Sequence, residues 1–245
     1  MFINQISFRV KKKKCKNVTL HILSFAFNIN VEMEVKTRII KVNLHLAESG
    51  KIKTIVKVLQ NGGIIAYPTD TFYGLGVNCF IKNSILRIYR LKRREYSKPL
   101  SLVVSDMDMV EEVAVDISSF FRALASEFWP GPLTLVLKAS SNLPKELQSS
   151  EGSIGVRLPA LSWLRDLIRE AAFPLTATSA NVSGERDISQ SERIIKDFYG
   201  KVDLIADGGK TPGTLSSTVI DLTSGRPKIL REGAVPLSLL RKYLE

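Results

Sequence analysis

Apolar positions along the chain alternate between two spacings, one that suits a helix face and one that suits a buried strand. From Ser49, the residues Ile52, Ile55, Val56 and Leu59 fall on one helical face, and Asn61-Gly62-Gly63 supplies the stop. An uninterrupted apolar run at 64–67 predicts a strand. Asn83 or Ser84 caps a second helix that turns Ile85, Ile88, Tyr89 and Leu91 inward. Helical segments are predicted at 107–113, 117–128, 162–171 and 189–198, with a short one at the C-terminus. Strands are predicted at 100–104, 133–138, 154–159, 174–178, 202–206, 217–222 and 228–231. Strands alternating with helices predict an α/β domain with a parallel or mixed sheet.

Composition adjusts this picture at the amino-terminal end. The chain has 245 residues, 44% of them hydrophobic, and a formal net charge of +11. Residues 1–32 hold Arg9, Lys11, Lys12, Lys13, Lys14 and Lys16 against Glu32, a net +5 that leaves +6 for everything from Met33 onward. The remainder suits nucleotide phosphates or a weak contact to tRNA rather than a strong nucleic-acid footprint. The apolar run after the lysines is broken by His21 and Asn28 and is too short to span a bilayer, so no membrane segment is expected there. The expected organisation is a basic leader at 1–32, accessory or mis-assigned because Met33 opens a plausible protein start. A lead-in at 33–51 and a catalytic domain at 52–245 follow.

Candidate chemistry narrows by elimination. Cys15 and Cys79 suggest neither a disulfide framework nor a zinc site, and fit a reducing cytoplasm. Both histidines, His21 and His45, precede residue 62, which disfavours serine-histidine and cysteine-histidine triads in the main body. Neither a GxxxxGK[ST] phosphate loop nor a GxGxxG fingerprint stands at a strand-to-helix junction. Two polar loops each follow a buried-type strand, one at 68–76 and one at 179–184. Ordinary turn and capping chemistry accounts for either loop taken alone. Basic and hydroxyl-bearing residues nevertheless collect at strand ends: Thr71, Arg94, Lys98, Arg157, Ser179, Ser217 and Arg231. Ligands gather at such ends, and these side chains favour an anion. The basic run Arg87, Arg90, Lys92, Arg93 and Arg94 also reads as a solvated helix end.

Five separated motifs carry a more specific likeness. Tyr67-Pro68-Thr69-Asp70-Thr71-Phe72-Tyr73-Gly74-Leu75-Gly76, Lys92-Arg93-Arg94 with Lys98-Pro99-Leu100, Trp129-Pro130-Gly131-Pro132-Leu133-Thr134, Val156-Arg157-Leu158-Pro159 and Ser179-Ala180-Asn181 occur in one order. In this the chain resembles the YrdC-like threonylcarbamoyl-AMP synthase family, from about Ile52 to its end. The resemblance implies a single α/β domain with a twisted mixed sheet flanked by helices. It implies a nucleotidyltransferase that joins L-threonine, bicarbonate and ATP, with magnesium, into threonylcarbamoyl-AMP and pyrophosphate. A downstream tRNA threonylcarbamoyl transferase complex would take the product. Thr71, Ser153, Arg157, Ala177 and Ser217 would meet threonine. Lys92, Arg94, Lys98, Ser179, Asn181 and Arg231 would meet ATP, with Lys92 and Arg94 catalytic and no dedicated protein ligands for the metal.

Two departures qualify the resemblance. Val103 stands where some relatives have histidine, so no threonine contact is carried over there. The short branch is the expected match, because Glu245 leaves no room for the further domain of the longer branch. The competing readings are a noncatalytic RNA-binding module built on the basic residues and a related carbamoyl-adenylate enzyme with another acceptor.

Overall fold

A computed structural model describes residues 35–181 and 184–244. The leader at 1–32, and Val182 and Ser183 of the second polar loop, lie outside the described residues.

The 33–51 segment supplies an edge strand, β1 (Arg38–Lys41), which pairs in parallel far along the chain with Leu204–Asp207. Helix α1 (Ser49–Gln60) buries Ile52, Ile55, Val56 and Leu59 as the spacing predicts. Gly62, at φ 76°, turns the chain into strand β2 (Ile65–Tyr67), which is buried throughout.

The polar loop after β2 departs from expectation, because its end is a strand. β3 (Gly74–Gly76) runs antiparallel to β2, with Tyr67 opposite Gly74 and Ile65 opposite Gly76. Glycine is depleted in strands, which hid this element from the sequence pattern. The reason for glycine is a close approach. A Cβ on Gly76 would lie 2.5 Å from Tyr67 Cε1, so the Tyr67 ring crosses β3 only if that position is bare. The ring's hydroxyl then donates to Thr176 O at 2.9 Å, satisfying a fully buried phenol.

The remaining elements follow in order: α2 (Lys82–Lys92), β4 (Ser101–Val103), α3 (Asp108–Val113), β5 (Ala114–Val115), α4 (Ser119–Phe128), β6 (Leu133–Ala139), β7 (Ser153–Arg157), α5 (Ser162–Ala171), β8 (Leu175–Ser179), α6 (Ser191–Phe198), β9 (Leu204–Asp207), β10 (Thr218–Asp221), β11 (Lys228–Arg231) and α7 (Leu237–Leu240). The two-residue β5 has no sequence signature. Ser118 caps α4, its hydroxyl accepting from Phe121 N at 3.2 Å.

These strands form one mixed sheet in the order β1-β9-β2-β3-β8-β4-β7-β6-β10-β11, with β5 on β6. The pairs β1/β9, β9/β2, β4/β7 and β6/β10 are parallel, and the others are antiparallel. The expected single α/β domain with a helix-flanked mixed sheet is the fold observed. Among the described residues, no helix is long and apolar enough to cross a membrane.

Candidate active site

A cavity of about 210 Å³ opens where the ends of β4 and β7 meet the middle of β8 and the loops after β2 and before β10. Its wall includes Thr71, Arg94, Arg157, Ala177, Ser179, Ser217 and Arg231, seven of the eleven residues that the sequence singled out. Lys92, Lys98, Ser153 and Asn181 are not on it.

Arg157 is the final residue of β7, held in register opposite Val103 of β4. The residue is 7% exposed, and its guanidinium is fastened on several sides. Nε donates to Gly131 O at 3.0 Å, which gives the turn at 129–132 a direct part in the site. Nη1 donates to Thr71 Oγ1 at 3.1 Å. Nη2 lies 2.6 Å from Asp70 Oδ1 as an ion pair, but the angle is not that of a hydrogen bond. Proton accounting orders the neighbouring hydroxyls. Thr69 Oγ1 donates its single proton to Phe72 O at 2.7 Å, so in the 2.9 Å contact between the two threonines Thr71 is the donor. The chain of donation therefore runs from Arg157 to Thr71 to Thr69 to the backbone.

Across the cavity, Arg231 of β11 is drawn in by Ser217. Its Nη2 donates to Ser217 O at 2.8 Å and to Ser217 Oγ at 3.0 Å, and Ser217 Oγ lies 2.8 Å from Thr134 Oγ1. Arg94 completes the basic wall, with Nε and Nη2 donating to the carbonyls of Lys98 and Pro99 at 2.8 and 3.1 Å. Burial lowers the pKa of both Arg94 and Arg231, and the positive charge of Arg157 adds to the effect on Arg231. Both remain cations at neutral pH. Three guanidinium groups around one small cavity make a receptor for a polyanion or for two separate anions.

Lys92 takes a different position from the expected one. It is the last residue of α2 and 1% exposed. Its ammonium donates to Ser179 O, to Asn181 O at 2.6 Å and to Asn181 Oδ1 at 2.9 Å. Three hydrogens meet three acceptors, so Lys92 holds the loop behind Ser179 instead of facing the cavity. Asn181 belongs to the same layer. Its Oδ1 also accepts from Ser179 Oγ at 2.7 Å, and its Nδ2 donates to Glu185 O and Asp187 Oδ1 at 2.7 and 3.2 Å. Arg93, in the left-handed conformation at φ 51°, reverses the chain so that Arg94 returns to the cavity while Arg93 stays outside.

Two expected residues stand elsewhere. Lys98 projects to the surface, its side chain 62% exposed and paired with Glu95 at 3.2 Å. Ser153 begins the strand that Arg157 ends and is bound to Ser149 Oγ at 2.7 Å. A rise of about 3.3 Å per residue separates it from Arg157 by roughly 13 Å.

The cavity also uses residues that sequence reasoning passed over. Asp187 is the one carboxylate among the described lining residues; it accepts from Ser216 Oγ at 2.7 Å and ties the second polar loop to the segment before β10. Nothing in Glu185-Arg186-Asp187 sets it apart from a surface run. Thr134 closes the motif at 129–134, but its alternation with Leu133 and Leu135 marks it only as strand interior and gives it no site role. Tyr73 donates to Gly209 O at 2.8 Å and accepts from Gly208 N at 3.1 Å; burial pushes its phenol up to about 12.

A family model for Sua5, YciO and YrdC, described as "Telomere recombination", matches residues 57–233. A Pyrococcus abyssi protein named threonylcarbamoyl-AMP synthase is 38% identical over 197 residues, covering 80% of this chain and 58% of the relative. A Methanocaldococcus jannaschii relative is 34% identical over 212 residues, 86% of this chain and 100% of its own length. The crystal structure of P. abyssi Sua5 complexed with L-threonine superposes with a TM-score of 0.81 at 38% identity, over 85% of this chain and 61% of that one. E. coli YciO gives a TM-score of 0.76 at 27% identity, over 82% of this chain and 98% of that one. The chain thus spans less than two thirds of the P. abyssi protein. With the family model covering most of the length, and with fold and motif order in agreement, the chain belongs to the Sua5/YciO/YrdC family.

Proposed function

We propose that this chain makes L-threonylcarbamoyl-AMP and pyrophosphate from L-threonine, bicarbonate and ATP, acting as a nucleotidyltransferase in the cytoplasm. The observation that carries the reading is the convergence of two anion-binding arrangements on one cavity. Arg157 with Thr71 suits a carboxylate, and Arg94, Arg231 and Ser179 suit phosphates. The relatives' printed names and the threonine complex of the P. abyssi protein support it.

The chemistry asks for positioning rather than a protein nucleophile. Arg157 would bind the threonine carboxylate and orient its amine, which must be neutral to attack carbon dioxide derived from bicarbonate. A carbamate forms with loss of the amine proton. One carbamate oxygen then attacks the α-phosphorus of ATP, a new P–O bond forms, and the bond to the bridging oxygen breaks to release pyrophosphate. Arg94 and Arg231 would offset the charge that builds on the phosphoryl oxygens. Holding both reactants in one cavity lowers the barrier by several kcal/mol in order of magnitude. Val103, Ala177 and Val219 give that cavity an apolar flank, which suits a small aliphatic side chain.

Magnesium would enter with ATP and neutralise phosphate charge. No cluster of three acidic, cysteine or histidine side chains occurs among the described residues, so Asp187 could lend one oxygen and phosphates and water would supply the rest. The product would pass to a threonylcarbamoyl transferase that acts on tRNA. A weak tRNA contact would fall on the exposed basic end of α2.

The test is incubation with ATP, magnesium, bicarbonate and each amino acid in turn, followed by mass analysis. A threonine-dependent aminoacyl-carbamoyl adenylate is expected. Its absence, with salt-sensitive tRNA binding and no ATP consumed, would favour a noncatalytic RNA-binding module instead.

A further inference from the structure

Among the described residues, the only buried side-chain nitrogen or oxygen atoms without a hydrogen-bond partner are Asp70 Oδ1, Asp70 Oδ2 and Arg157 Nη2. All three belong to one ion pair whose side chains are each 9% exposed. We propose that Asp70 is a positioning residue that fixes the orientation of Arg157 for a substrate carboxylate, an inference that rests on reading the cavity as an amino-acid site.

A buried carboxylate with neither oxygen hydrogen-bonded is unfavourable, and so is a buried guanidinium without a counter-ion. Each is tolerable here because the other is 2.6 Å away. Asp70 does not line the cavity, and both its oxygens are closed to solvent, so it meets no ligand itself. What it touches is Nη2. With Nε on Gly131 O and Nη1 on Thr71 Oγ1, all three nitrogens of Arg157 then have a fixed neighbour. The long arginine side chain is left in one orientation, with Nη1 at the edge it shares with cavity-lining Thr71.

The segment that carries Asp70 is itself held. Thr211 Oγ1 donates to Thr71 O at 2.9 Å, and a Cβ on Gly213 would stand 2.5 Å from both Asp70 O and Thr71 Cα. The backbone that carries Asp70 is therefore fixed, which limits how far its carboxylate follows Arg157 if the latter swings. Asparagine at position 70 would remove the charge that faces Nη2 and leave only a neutral amide oxygen there, so that the guanidinium is held by Gly131 O and Thr71 Oγ1 with its third corner loosened.

Asp70→Asn and Asp70→Glu in the full chain test this by calorimetric titration with L-threonine and, separately, with ATP and magnesium. Asp70→Asn is expected to weaken threonine binding at least tenfold with ATP binding within twofold of the parent. Asp70→Glu, which keeps the charge but displaces it by one methylene, is expected to fall between them. Threonine affinity within twofold of the parent in Asp70→Asn overturns the proposal. If Asp70→Asn does not fold, unchanged threonine affinity in Asp70→Glu does the same. A parent chain that binds no threonine defeats the functional reading alone, and the proposal is then read without substrate. The Arg157 Nε proton, assigned by its loss in Arg157→Lys, is expected to exchange with water at least tenfold faster in Asp70→Asn, or in Asp70→Glu where only that variant folds. An unaltered exchange rate overturns the positioning role.

Discussion

Lys92 and Asn181 are joined twice, the ammonium donating to the backbone oxygen of Asn181 at 2.6 Å and to its side-chain oxygen at 2.9 Å. The C-terminal end of α2 and the loop after β8 are thereby clamped together around a fully internal charge.

Replacing Lys92 by methionine keeps an unbranched side chain, shorter by one atom, and removes every donor. Ser179 O, Asn181 O and Asn181 Oδ1 each lose the lysine donor, a loss that outweighs relief from desolvating the ammonium. A drop in stability of about 1–3 kcal/mol is expected in urea melts. Threonylcarbamoyl-AMP formation is expected to fall at least a hundredfold, because Ser179 is no longer held against the cavity. Full activity in Lys92→Met would show that the clamp has no bearing on the site.

The same lysine is expected to set an alkaline limit on the proposed activity. Burial first, then the charge of Arg94, push Lys92 down to about 8, with Asp187 opposing. Above that pH the neutral amine has two hydrogens for three acceptors, so kcat/KM is expected to decline through pH 8. Stability moves the other way. Between about 8 and the ordinary lysine value of 10.5, the unfolded chain binds the proton that the folded chain has released. The contribution of Lys92 to stability therefore rises with pH across that window, having been at its least favourable below pH 8, where both states are protonated. Parallel pH profiles of rate and thermal midpoint check this, and a flat rate from pH 7 to 9.5 would contradict it.

Ser153 and Thr71 separate what the motifs imply from what the geometry assigns. Ser153→Ala is expected to leave threonine use within twofold, since the side chain stands at the far end of β7. Thr71→Val is expected to raise the KM for threonine about tenfold or more, because it breaks the donation from Arg157 through Thr71 to Thr69. Steady-state kinetics with threonine as the varied substrate decides between them; a larger effect from Ser153→Ala would reverse the assignment.

Away from the site, α5 ends at Ala172 in the left-handed conformation, φ 57°, a place that favours glycine. Ala172→Gly is expected to stabilise the fold by about 0.5–1 kcal/mol, as relief of the Cβ strain exceeds the added flexibility of the unfolded chain. A thermal melt would show a rise of about 1–4 °C at unchanged activity.

What could be read ahead of the fold followed from periodicity. The faces of α1 and α2, and the buried runs of β2 and β4, needed nothing beyond the spacing of apolar residues. β3 was hidden because its two glycines exist for the ring of Tyr67, a contact that local sequence does not express. β1 was hidden because an edge strand of Arg38-Ile39-Ile40-Lys41 buries too little to stand out. In the site, Arg157, Arg231 and Thr71 were legible because charged or hydroxyl groups at strand ends are conspicuous. Lys92 and Asn181 were recognised as important but not as a supporting layer, since residue type does not reveal which way a donor points. Asp187 and Thr134 acquire meaning only from partners distant in sequence, Arg231 through the shared cavity for one and Ser217 for the other.

Gly213 rests against Asp70 and Thr71 so closely that no side chain fits between them, and Thr211 is bonded to Thr71 across 140 residues of sequence. Two distant segments therefore behave mechanically as one stiff plate. The space beside Arg157 is thus bounded by two segments packed backbone against backbone. A carboxylate brought to Arg157 would therefore meet a wall of main chain, so that its depth and angle are set by the fold and not by a side chain closing over it.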